Sequence, residues 1–168
     1  MKSFLYMTFA DRQKRAPARE NPQTDTAVGI ATAQVLELVR HNRTGTDFES
    51  HVLILLNVLC EAKRQIDSGA KRSVAVHMAV SWGTFVVSPG YTERVEKAPE
   101  KARAAMELVD EEKEFAVEVV AKFIRARDRD VKKPRGCNRD YYREYGAALD
   151  GILEISRGSR LKAQLRRE

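Results

Sequence analysis

SVAVHMAVSWGTFVVSPG, running from Ser73 to Gly90, decides the fold, because its apolar residues can be counted in two periods. Val74, Val76, Met78, Val80 and Trp82 alternate with Ser73, Ala75, His77, Ala79 and Ser81, which is the period of a half-buried strand. With Gly83-Thr84 as a two-residue turn, Trp82 faces Phe85 and Val80 faces Val87, so the large apolar residues share one face of a hairpin. The rival reading is a helix-turn-helix, since Ala75, Ala79, Val80, Ser81, Thr84 and Phe85 partly match its spacing of small and β-branched residues. Pro89-Gly90 would then cut the recognition helix to under two turns, because proline lacks a donor and clashes with the preceding turn. The self-consistent register favours the hairpin.

On either side of this stretch the helical period dominates. Val28, Ala31, Val35, Leu38 and Val39 form one stripe that ends at the polar NRTGT turn. A second helix starts at Thr46, which stands three residues before Glu49 in the pattern of a capping box, and stops at Gly69. It is apolar nearly all round from Val52 to Cys60, the pattern of a helix buried on most faces, so it is expected at the centre of the core. Beyond Pro99, Ala102, Met106, Val109, Ala116, Val120 and Phe123 lie on one stripe of a long helix, or of two helices joined near the acidic DEEKE of Asp110 to Glu114. A last helix runs from about Asn138, its cap, to Ser156, with Gly158 as its stop. Residues 157–168 are a basic C-terminal tail. Phe4 to Phe9 is β-rich and aromatic, and the polar, basic stretch 11–23 reads as a loop or linker. The expected fold is α+β, mainly helical: about four helices around a buried central helix, with a small antiparallel hairpin or a three-stranded sheet joined by Phe4 to Phe9. The 168 residues and 43% apolar content suit one domain.

Two cysteines, Cys60 and Cys137, are too few for a disulfide framework and point to a reducing, cytoplasmic setting. The longest apolar run, Val52 to Cys60, is interrupted by Asn57 and is about half the length of a membrane span, so no membrane partner is expected. The absence of GxGxxG and Walker patterns removes the usual nucleotide folds, and no cofactor is expected. His41, His51 and His77 show no metal-ligand spacing with the cysteines. A catalytic His77 beside Ser73, Ser81 and Ser88 would need an orienting acid and an oxyanion hole, for which no G-x-S-x-G or comparable context exists.

Charge is the remaining signal. The chain carries 30 Lys and Arg against 24 Asp and Glu, a net +6. Lys122 to Arg143 alone holds Lys122, Arg125, Arg127, Arg129, Lys132, Lys133, Arg135, Arg139 and Arg143 against Asp128, Asp130 and Asp140, which equals that whole excess. Such a patch attracts a polyanion and releases its counterions. The expected function is therefore a non-catalytic nucleic-acid-binding or nucleoprotein accessory subunit, gripping phosphates of DNA or RNA through Arg127, Arg129, Lys132, Lys133, Arg135, Arg139 and Arg143 with little sequence selectivity. On a helix of 100° per residue, Tyr142 and Tyr145 share a stripe with Leu149, Ile152 and Leu153, whereas Tyr141 lies on the far flank and is the ring free to stack on a base. The alternative is an interaction or assembly subunit, with a protein partner or a second copy meeting charge-polarised surfaces and a hairpin edge. An enzyme whose site forms only in three dimensions is the third class.

Overall fold

The computed structural model describes residues 26–40, 47–87, 98–130 and 140–167. Within them six helices follow one another: α1 (Ala27–Arg40), α2 (Asp47–Asp67), α3 (Arg72–Val86), α4 (Ala98–Glu111), α5 (Lys113–Asp130) and α6 (Tyr141–Arg167). The described residues contain no strand, which corrects the expected α+β class to an all-helical one; Phe4 to Phe9 and the stretch 11–23 lie outside them.

The correction turns on α3. One continuous helix replaces both the hairpin and the helix-turn-helix, because the residues that bury are the small ones. Ala75, Ala79 and Gly83 recur every four residues and are buried with Val76 and Val86, whereas Val74, Met78 and Phe85, which the strand pattern places inside, are exposed. Gly83 is not a turn. A Cβ there would stand 2.6 Å from Val58 Cγ2 and 2.7 Å from the Phe123 ring, so its missing side chain lets α3 close onto α2 and α5.

α2 packs against each of the other five helices, and its Val52, Leu55, Leu56, Val58 and Leu59 are wholly buried. Its single polar interruption, Asn57, is buried as well. Asn57 Nδ2 donates to the Leu53 carbonyl at 3.0 Å, while its Oδ1 accepts from Lys101 Nζ of α4 at 2.6 Å and from Trp82 Nε1 of α3 at 3.4 Å. α2 ends at Gly69, whose φ of +88° suits glycine, with the Gly69 and Ala70 amides returning to the Ile66 and Gln65 carbonyls.

The long apolar stripe from Ala102 to Phe123 divides at the acidic patch into α4 and α5, joined at Glu112, and its six apolar positions are all buried. The carboxylates at this joint are held by three helices. Lys63 of α2 reaches Glu111 at 3.0 Å, Arg72 of α3 reaches Glu112 at 2.6 Å, and Arg160 of α6 donates to both the Asp110 carboxylate and the Asp110 carbonyl at 2.7 Å. Gly158 does not stop α6, which continues through the basic tail to Arg167. The helix is capped by Asp140, whose Oδ1 accepts from the Arg143 amide at 3.1 Å; the expected cap, Asn138, lies outside the described residues.

Candidate nucleic-acid interface

α3 and α5 pack side by side, and the start of α6 closes one end of the channel between them. The result is a groove of about 630 Å3. Its α5 wall presents Lys122, Arg125 and Arg129, its α3 wall presents Ser73 and His77, and its floor is apolar, from Val76, Val80 and Ala126. Tyr142 of α6 stands at the rim, 50% exposed. Asp128 lines the same groove and is its one acidic wall residue.

Helix geometry collects these cations. Positions 122, 125 and 129 are three and seven residues apart, so they fall on one face of α5 in a row about 10 Å long. Lys122 is paired with Glu118 at 3.1 Å, one turn back. Among the described residues Arg125 and Arg129 have no ion-pair partner, although they are i,i+4 neighbours of like charge. The two repel each other, while the position of Arg129 in the last turn of α5 is favoured by the helix dipole. The fold uses basic residues differently elsewhere: Lys63, Arg72 and Arg160 are each taken up by the acidic joint.

The residues expected to grip phosphate separate into several groups. Arg129 is in the groove. Arg127 points the other way, half-buried, with its guanidinium 5.3 Å from the centre of the Tyr141 ring. Arg143 is exposed in the first turn of α6 and does not line the groove. Lys132, Lys133, Arg135 and Arg139, with Cys137, lie outside the described residues.

The two tyrosines exchange the places read from the sequence. Tyr141 is 4% exposed and stacks on Tyr145, with ring centres 6.1 Å apart, so it is not the ring free for a base. Tyr142 is. The expected stripe is right at Tyr145, Leu149 and Ile152, but the buried face of α6 runs through Tyr141, Tyr145, Ala148, Leu149, Ile152, Ser156, Ser159 and Ala163. A stripe weighted by large apolar residues, such as Tyr142 and Leu153, is displaced from one chosen by close approach of the neighbouring helices, where Ala148 and Ser159 fit. Ser159 confirms the contact by donating to Gln34 of α1 at 2.8 Å.

Lys122 and Arg125 count towards the basic charge of the sequence, but only the packing of α5 beside α3 marks them as wall residues. His77 and Ser73, one turn apart and both exposed, share that groove with the cations, and Asp128 is the one carboxylate among its wall residues. His51 is a core residue, with its ring 4.4 Å from Tyr145 and its Nε2 3.7 Å from Glu144 Oε2. Among the described residues no group of three or more His, Cys, Asp or Glu is placed to hold a metal ion, and no helix is long and apolar enough to cross a membrane. Comparison with protein-family models, with curated proteins and with solved structures finds no match to this chain.

Proposed function

We propose that the protein binds nucleic acid through its phosphate backbone, with the α3–α5 groove as the contact surface and Lys122, Arg125 and Arg129 as the phosphate ligands. The observation that carries the reading is the row of like charges on α5, with two of its three members lacking an ion-pair partner among the described residues. A row of like charges on one helix face suits an anion of matching length. Phosphate contacts of this kind position a strand without reading its sequence, so the contact is taken as backbone-directed.

The test is binding to labelled DNA and RNA across a salt series. Three phosphate contacts give a slope of log affinity against log salt of about −2 on a single strand and about −2.7 on a duplex. The double variant Arg125→Gln, Arg129→Gln should flatten that slope by about 1.4–1.8. An unchanged slope would remove the groove from the contact surface.

A second reading, assembly with another protein or a second copy, rests on a different face of α3. Val74, Met78 and Phe85 are exposed along one side of that helix, and Phe85 stacks with Trp82 at 5.3 Å. Exposed apolar stripes of this kind serve association. Light scattering on a concentration series reads it: a dimer that Phe85→Ser dissociates would support assembly, and a monomer throughout would leave only a foreign partner.

A further inference from the structure

The groove combines its cations with an aromatic ring, and that combination separates single strands from duplexes. Phosphate attraction alone does not distinguish them. In a duplex the base faces are stacked on one another and only their edges reach the grooves. A half-exposed tyrosine ring can stack on a base only if the base is unpaired and turned outward.

Tyr142 meets the positional requirement. It is 50% exposed, at the rim of the same groove that Lys122, Arg125 and Arg129 wall. Its neighbour Tyr141 is fixed in the core beneath the ring of contacts with Arg127 and Tyr145, so the first turn of α6 that carries Tyr142 is anchored. The apolar floor of Val76, Val80 and Ala126 suits a sugar or base better than a hydrated phosphate. A volume of about 630 Å3 lies within the ~300–1,000 Å3 range of small-ligand sites, room for about one or two nucleotides.

We infer that the groove binds single-stranded nucleic acid, with one base stacked on Tyr142 and the adjoining phosphates held by Arg125, Arg129 and Lys122. This rests on the nucleic-acid reading above and narrows it to unpaired strands.

The experiment compares, at one salt concentration, an unstructured deoxythymidine or uridine oligonucleotide with a duplex of equal phosphate number, for the full chain and for Tyr142→Ala, Tyr142→Phe and Arg125→Gln, Arg129→Gln. Tyr142 and both arginines are exposed, so circular dichroism should show each variant folded as the parent is. The expected result is at least tenfold preference for the single strand, a five- to hundredfold loss with Tyr142→Ala, and near-parental binding with Tyr142→Phe, since stacking needs the ring and not its hydroxyl. Equal binding of duplex and single strand with no effect of Tyr142→Ala, but weakening by the arginine variant, would overturn the single-strand inference and leave the backbone-binding function standing. No binding of either polymer would overturn both. A length series starting at the mononucleotide separates the two sources of the same chemistry: affinity that rises with each added nucleotide supports a strand, and affinity already complete at the mononucleotide overturns it in favour of a free nucleotide.

Discussion

At the scale of single residues, two glycines in helices have opposite meanings. Gly83 stands where α3 meets Val58 and Phe123, and a Cβ would approach the stiff, branched Val58 side chain to 2.6 Å. Alanine gains about 1 kcal/mol of helix propensity there but meets about 1–3 kcal/mol of overpacking in a core with no room to relax. Gly83→Ala should therefore lower stability, by up to about 2 kcal/mol in urea unfolding. Gly158 sits in the middle of α6 with nothing within 4 Å of a built Cβ. Gly158→Ala should raise stability by about 0.5–1 kcal/mol in the same assay. If both variants moved in one direction, the packing account of Gly83 would be wrong.

At the scale of elements, the joint between α4 and α5 shows where the acidic middle of the chain goes. Asp110, Glu111 and Glu112 are a cluster that would repel itself on a bare helix, and Arg160, Lys63 and Arg72 neutralise it from three other helices. The first three carboxylates of the DEEKE segment thus fasten helices together at the surface, while Glu111, Lys113 and Glu114 stay exposed. Lys63, only 12% exposed, is the most enclosed of these cations. Its hydrogen bond to Glu111 is the largest influence on its titration; desolvation opposes it, the Asp67 bond reinforces it, and the net effect raises its pKa above the ordinary 10.5. A raised folded-state pKa adds stability that is complete below 10.5 and is lost as pH rises through the folded value. Glu111→Gln should accordingly cost a few tenths to about 1 kcal/mol at pH 8, and the gap between variant and parent should narrow as pH climbs past 10.5. Denaturant midpoints measured from neutral to alkaline pH would read it, and a gap independent of pH would show that Lys63 is not the partner that matters.

At the scale of the whole molecule, α2 is the axis on which the other helices are hung, and Asn57 is the polar point that fixes two of them against it. Apolar contacts tolerate sliding, whereas a buried amide with named donors does not. Lys101 lies 5.7 Å from the centre of the Trp82 ring, so α3 and α4 also meet each other at this point. Asn57→Ala would leave the Trp82 and Lys101 donors without their acceptor and should cost about 2–3 kcal/mol. Two-dimensional NMR of the variant should show its largest shifts around Trp82 and Lys101; shifts confined to α2 would mean that the amide does not couple the helices.

The sequence by itself determined the elements whose apolar period has a single solution. The stripe from Ala102 to Phe123 and the all-round apolar run of α2 each bury where their spacing puts them, and Gly69 ends α2 because the left-handed backbone there is one that other residues rarely adopt. The charge excess near residues 122–143 is likewise a property of composition alone. Only tertiary structure decided α3, whose valines satisfy a strand and whose alanines and glycine satisfy a helix; close approach to α2 and α5 rewards the small residues. It also decided which tyrosine faces solvent and which arginines stand together. Neighbouring helices select a buried face by fit as well as by hydrophobicity, and a groove exists only once two helices lie side by side.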